Sequence, residues 1–275
     1  MYKSIAIDGP CAAGKTTLAK CLAKHLGFTY VNTGSLYRAI AVLYLKDSTK
    51  TVPEILKDFH VEFNGDEVIV NGSTIPEHVL RAPETARAAS DLSAMPEVRE
   101  ALLDIQRGYA ERADVVMEGR DIGTVILPHA TMKLFLTATE KKRAMRRTMQ
   151  LYPNDWDNWD NKELQAKVLQ SIHERDENDS HREVAPLRKA YDAVVLDNTV
   201  LDIPDTLYKA LDIWERKVAY KFKEGDSVRV RDGDLEGYII EAKKNRVYVV
   251  RLSDEECAWN DEYSEDDLEP ITPNR

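Results

Sequence analysis

The segment Gly9-Pro10-Cys11-Ala12-Ala13-Gly14-Lys15-Thr16 constrains this chain more than any other. It follows the apolar run Ser4-Ile5-Ala6-Ile7, which reads as a buried strand, and it opens a helical pattern from Lys15 to Leu26. A strand, a glycine-bearing loop and a helix in that order satisfy the Walker A pattern. Its glycines let backbone N–H groups wrap phosphate oxygens while the helix presents its positive end. In such a loop Lys15 neutralises the β- and γ-phosphates of a nucleotide, and the Thr16 hydroxyl meets the Mg²⁺ that bridges them. The candidate nucleotide-phosphate residues are Gly9, Pro10, Cys11, Ala12, Ala13, Gly14, Lys15, Thr16 and Thr17, with Cys11 read as a small loop residue. The loop alone does not separate a kinase from a GTPase, an ATPase motor or a nucleotide sensor.

The remaining pattern fixes the class. Short apolar runs at Phe28 to Val31, Val115 to Met117, Lys133 to Leu136 and Ala193 to Leu196 read as strands, with helical stretches between them. Tyr37, Ile40, Ala41, Tyr44 and Leu45 recur at helical spacing. Alternation of this kind predicts an α/β fold, a central parallel sheet flanked by helices. Two regions break the rhythm. HVEFNGDEVIVNG at 60–72 reads as a hairpin turning at Asn64 to Glu67 and inserted into the sheet domain. From about Lys221 several short alternating strands separated by charged turns read as a separate small β-barrel. YPNDWDNWDN at 152–161 reads as an exposed loop or the start of a helix.

With 275 residues, 43% of them hydrophobic, the chain can bury a sizeable core. Cys11, Cys21 and Cys257 are few and scattered, so they form neither a disulfide framework nor a metal-ligand spacing and suit a reducing compartment. The chain starts without a signal-like segment and has no apolar run long enough to span a bilayer, so a cytoplasmic protein with no membrane partner is expected. A formal net charge of −10 argues against bulk nucleic-acid binding, so a phosphate site is expected to be built from clustered arginines.

Three blocks narrow the reading further. KSIAIDGPCAAGKTTLAKCLAKHLGFTYVNTGSLYR at 3–38, VVMEGRDIGTVILP at 115–128 and ERDENDSHREVAPL at 174–187 closely resemble the bacterial cytidylate kinase family, and the resemblance covers roughly residues 3–215. It implies a P-loop kinase using MgATP and acting on CMP or dCMP, with the 60–72 hairpin inside a monophosphate-binding insertion at about 50–90 and a lid at about 140–182. It also implies site residues. Arg38, Arg120, Arg175 and Arg182 match arginines around the acceptor phosphate and the transferring group, where guanidinium forks suit the charge spread over phosphoryl oxygens. Lys15, Arg120, Arg175 and Arg182 are the implied catalytic set. Ser90, Arg99 and Asp121 match the positions that read cytosine, whose N4 amino donor needs an acceptor where uracil would offer a second acceptor. Asp179 matches a ribose-contacting carboxylate in what otherwise reads as a solvated loop, and Thr33 lies in the segment close to the acceptor nucleotide. Asn32 and Glu118 stand where the family commonly has aspartate, which leaves open whether Glu118 helps hold Mg²⁺ waters or only packs at the sheet edge.

Residues 1–217 are thus read as the kinase domain, and residues 221–275, beyond the family's usual end, resemble SH3-like or KOW-type barrels. That module carries 15 acidic against 9 basic residues, which favours a protein contact over nucleic acid. Two alternatives stand beside the cytidylate reading: a kinase for another monophosphate such as UMP or dTMP, and a nucleotide-binding regulatory protein without turnover.

Overall fold

The computed structural model describes residues 2–47, 49–64, 67–153, 161–218, 227–231, 235–243, 247–253 and 258–270. The expected turn at Gly65-Asp66, most of the 152–161 stretch and Cys257 lie outside them. By its internal contacts the chain divides into two compact units, Met1–Leu211 and Asp212–Arg275.

The first unit is built on five parallel strands in the order β2-β6-β1-β7-β8. These are β1 (Ser4–Asp8), β2 (Thr29–Asn32), β6 (Val115–Gly119), β7 (Met132–Thr137) and β8 (Val194–Asp197). Every residue of β6 is buried, and in β1 only Ser4 is not, as expected of strands covered on both faces. The second strand starts one residue later than its apolar run suggests. Helix α1 (Lys15–Leu26) closes on Gly27 at φ 72°, and the Phe28 N–H donates back to the Ala23 carbonyl at 2.9 Å, so Phe28 belongs to the helix stop.

Helix α2 (Thr33–Lys46) starts at once after β2, its first turn capped by Asn32, whose side-chain oxygen accepts from the Ser35 N–H at 3.2 Å. Its apolar face joins the insertion. Leu36, Ile40 and Ala41 share one cluster with Ile55 of α3 (Val52–Lys57), Val68 of β4 (Glu67–Val70) and Leu92 of α5 (Pro83–Leu92). Burying each such leucine or isoleucine contributes about 2 kcal/mol, so the insertion is part of the core rather than a loose arm. Its sheet has three strands where the alternation in the sequence predicts two. Strand β3 (Val61–Asn64) pairs with β4, and β4 pairs with β5 (Ser73–Ile75). Asn71 and Gly72, at φ 51° and 76°, make the tight turn into β5, where an Asn-Gly pair is itself a hairpin signal. A short α4 (Glu77–Leu80) precedes α5, and α6 (Pro96–Ala110) leads into β6.

Within the region expected to form the lid, the described residues build α7 (Glu140–Leu151) and α8 (Lys162–His181). Asn161 caps α8 by accepting the Leu164 N–H at 3.0 Å. The DENDS segment, which reads as a loop, is the end of α8, and its Asp179 is buried. After β8 the chain forms α9 (Ile203–Lys217), inside which the division between the two units falls.

The second unit holds an antiparallel sheet in the order β12-β11-β10-β9-β13. Its strands are β9 (Ser227–Val230), β10 (Glu236–Lys243), β11 (Val247–Ser253), β12 (Ala258–Ser264) and β13 (Leu268–Pro270). Val228, Ile239, Tyr248, Val250, Leu252 and Leu268 form its own apolar core.

Candidate active site

Parallel α/β sheets place ligands beyond the carboxyl ends of their strands. Here β1 and β6 both end at one cleft of about 560 Å³, a size suited to a nucleotide-scale ligand. The loop after β1 can only start with glycine. Gly9 sits at φ 151°, and a Cβ there would lie 2.1 Å from the Leu136 carbonyl oxygen on β7. The Lys15 ammonium folds back onto its own loop, donating to the carbonyls of Gly9 and Pro10 at 2.8 Å each. Burial, with Arg120 nearby, pushes it down to about 7. Cys11, Ala12, Gly14, Lys15, Thr16 and Thr17 line the cleft; Gly9, Pro10 and Ala13 belong to the loop without lining it.

A π-helical turn, Ile122–Ile126, follows β6 and is pinned to β1. The Asp8 carboxylate accepts the backbone N–H groups of Ile122 and Gly123, each at 2.8 Å, and burial pushes it up to about 6 against those two bonds. This fixes Arg120 and Asp121 between the strand and the turn.

Arg120 Nε donates to Asp179 Oδ2 at 2.6 Å, and Arg182 Nη2 lies 3.7 Å from Asp179 Oδ1. Burial raises the Asp179 carboxyl, yet Arg120, Arg175 and Arg182 outweigh it and hold the group below the usual range. Asp121 forms a buried ion pair with Arg99 of α6, and Arg99 Nη1 also donates to the Ser93 carbonyl at 3.1 Å. Burial pushes the Asp121 carboxyl up, and the Arg99 and Arg182 guanidiniums pull it back only in part. The Ser93 hydroxyl accepts from Arg182 Nη1 at 3.1 Å and donates to the Ser90 carbonyl at 2.8 Å, so α5, α6 and the end of α8 meet there.

The cleft is overtly cationic. Among the described residues no carboxylate lies within ion-pair distance of Arg38, Arg147 or Arg175. Arg175 Nε and Arg182 Nη2 are buried without a hydrogen-bond partner among the described residues. Burial, followed by Arg175, Arg147 and Arg81, holds Arg38 down at about 10. Like charges gathered without counterions are the signature of a polyanion site.

All other sequence-derived candidates line the same cleft: Thr33, Arg38, Ser90, Arg99, Arg120, Asp121, Arg175, Asp179 and Arg182. Thr33 contributes a buried hydroxyl that donates to the Glu118 carbonyl at 2.8 Å.

A cytidylate kinase family model matches residues 5–216. The chain belongs to the cytidylate kinase family. A cytidylate kinase of Fervidobacterium nodosum is 40% identical over 227 residues, covering 80% of this chain and 100% of that protein. One of Caldicellulosiruptor bescii is 41% identical over 224 residues, covering 78% and 96%, and one of Carboxydothermus hydrogenoformans is 39% identical over 222, covering 78% and 97%. The family match ends at residue 216, one residue before α9 does, so the second unit's sheet lies outside it.

Around the cytidylate kinase motifs the structure adds residues that the sequence motifs do not single out. Arg81, Ser93 and Arg147 line the cleft, Arg143 and Asp176 hold the backbone of Cys11 in its wall, and Asp8 holds the turn after β6. Asp8, the last residue of an otherwise apolar strand, carries one usable signal, because a carboxylate there is buried and must find donors. Glu118, left open above, is buried at the cleft with Oε1 accepting the Tyr30 hydroxyl at 2.5 Å.

Proposed function

We propose that this chain transfers the γ-phosphoryl group of ATP to CMP or dCMP, yielding ADP and CDP or dCDP. The observation that carries the reading is the meeting, in one cleft, of a phosphate loop, guanidiniums with unpartnered N–H groups and the buried Arg99–Asp121 pair. The first two handle phosphates, and the third offers a fixed polar edge to a base.

In this reading the backbone from Gly9 to Thr17 seats the ATP phosphates, and Lys15 turns from its own carbonyls to the β- and γ-oxygens. Arg120, Arg175 and Arg182 clamp the transferring group, whose loose transition state spreads charge over its oxygens. Arg38 and Thr33 hold the acceptor phosphate end, and Asp179 meets the ribose. Ser90, Arg99 and Asp121 receive cytosine, the carboxylate accepting from its N4 amino group. Uracil would set an acceptor against that acceptor and leave buried groups unpaired. No side chain needs to be a dedicated base, because positioning and charge stabilisation supply most of the rate.

The donor set fits Mg²⁺. Thr16 and Glu118 bring a hydroxyl and a carboxylate to the cleft, while no cluster of three or more His, Cys, Asp or Glu side chains placed to hold a metal occurs among the described residues. That suits an ion carried largely by nucleotide phosphates and water, with Thr16 as its protein ligand. When bound, the ion neutralises charge on the β- and γ-phosphates.

We read residues 1–217 as the kinase domain, with a monophosphate-binding insertion at about 50–90 and a lid at about 140–182, and residues 221–275 as a small SH3-like barrel that contacts a protein partner. No helix among the described residues is long and apolar enough to cross a membrane, and Cys11 and Cys21 are free thiols, which supports work in the cytoplasm. A coupled assay of ADP release with MgATP and each of CMP, dCMP, UMP, dTMP, AMP and GMP tests the reading. Turnover confined to CMP and dCMP is expected; turnover with a different monophosphate, or with none, overturns it.

A further inference from the structure

The phosphate loop does not stand free. Asp176 of α8 accepts the Cys11 backbone N–H at Oδ1, 2.9 Å away, and pairs through Oδ2 with Arg143 of α7. The same Arg143 Nη1 donates to the Cys11 carbonyl at 3.0 Å, and its Nε donates to the Ala138 carbonyl at 3.2 Å. Both polar groups of Cys11's backbone are therefore held by one ion pair whose side chains are 7% and 18% exposed. The next residue, Ala12, adopts φ 58° and packs on the cluster of Ala144, Val168 and Ile172 between α7 and α8. One residue further, the Ala13 carbonyl accepts from Arg146 Nη1 at 3.3 Å and Asn198 Nδ2 at 3.0 Å.

Asp176 also has telling neighbours on its own helix. Arg175 precedes it and carries the unpartnered Nε, and Asp179, three residues on, holds Arg120. Within little more than one turn, α8 thus grips the phosphate loop and presents or anchors two arginines of the cleft. A neutral acceptor would cap the Cys11 N–H as well, so stability does not require a charge there. A largely enclosed ion pair adds little net stability, yet its fixed geometry favours one alignment of the elements that carry it.

We propose that Asp176 is a positioning residue: with Arg143 it sets the register of α8 against the phosphate loop, and so couples the donor's seat to the placement of Arg175 and Arg120. This rests on the kinase reading above. If the loop and α8 move as one, occupation of the donor site favours the acceptor site and the reverse, by the same factor.

The test uses the full chain and Asp176→Asn, which keeps an oxygen for the Cys11 N–H and loses the charge facing Arg143. CMP affinity is measured by calorimetry with and without a non-hydrolysable ATP analogue, beside kcat and both KM values. For the wild type, the analogue is expected to tighten CMP binding. For Asp176→Asn we expect unchanged affinity for CMP alone, loss of that tightening, and kcat lower by roughly 10- to 100-fold, the scale of a misplacement near 1 Å. Arg143→Lys, which keeps the charge, is expected to retain more coupling than Arg143→Gln, and it serves if Asp176→Asn fails to fold. Wild-type coupling and kcat in Asp176→Asn would overturn the proposal. So would a loss of CMP affinity in parallel with kcat, the mark of general damage. Analogue affinity without acceptor reads the clasp separately: if the wild type proves inactive on every monophosphate, weaker analogue binding by Asp176→Asn still supports the clasp, and equal binding overturns it.

Discussion

Arg99 and Asp121, 22 residues apart in the chain, form an ion pair whose side chains are 9% and 6% exposed at the floor of the cleft. Arg99 also lies over the Tyr37 ring, 5.8 Å from its centre, so the pair is held between α2, α6 and the turn after β6. A charged pair so enclosed is costly to break from one side, and it presents fixed donors and acceptors to whatever enters.

Asp121→Ala should therefore act twice. It leaves Arg99 buried without a counter-charge, which should lower stability by about 3 to 5 kcal/mol. It should also lower kcat/KM for CMP by on the order of 100-fold or more relative to the loss for UMP, because the acceptor for the N4 amino group is gone. Urea unfolding and the acceptor panel measure the two effects. Equal losses on CMP and UMP would remove Asp121 from base reading.

Lys15 links the site to pH. Its pKa is about 7 in the ligand-free fold against an ordinary 10.5, so between those values the unfolded chain binds more protons and ligand-free stability should rise with pH. Phosphates favour the charged ammonium, so ATP binding at pH 8 should take up close to one proton. Calorimetry in buffers of different ionisation enthalpy reads that number directly, and no uptake would mean that Lys15 does not meet the phosphates. Lys15→Ala should abolish turnover with every acceptor.

Gly9→Ala should be among the most damaging single methyl additions in the first unit. The methyl would fall 2.1 Å from a backbone oxygen of β7 at a φ that alanine disfavours. We expect a loss of about 3 kcal/mol or more, read by denaturant unfolding, with activity lost alongside because the loop must shift.

A chain ending at Lys217 keeps the whole family-matched region and all of α9. It should fold and retain CMP kinase activity within roughly threefold of the full chain, as expected if the first unit has its own core. Insolubility of the truncated chain would instead place the last 58 residues, 218–275, within the kinase's folding unit.

The α/β class and the phosphate loop are legible in the amino-acid sequence because each is written locally, whereas the other cleft residues came from the resemblance to a family. A parallel strand buried on both faces needs a run of apolar residues such as Ser4 to Ile7, and a loop around phosphate needs glycines at set intervals. The partners of Asp8 and Asp176 and the burial of Asp179 are not legible in that way. In DENDS the carboxylates look like those of any solvated segment, because nothing in their neighbours announces Arg120, 59 residues away. Cys11 and Asp176 are 165 residues apart, and no periodicity connects them. The sequence by itself determined which segments become strands, helices and a phosphate loop, since backbone conformation and the covering of apolar faces follow from neighbouring residues. Only the tertiary structure decided which charges are buried and with whom, because the energy of a charge depends on the water it loses and the partner it gains, and both are set by segments that arrive from elsewhere in the chain.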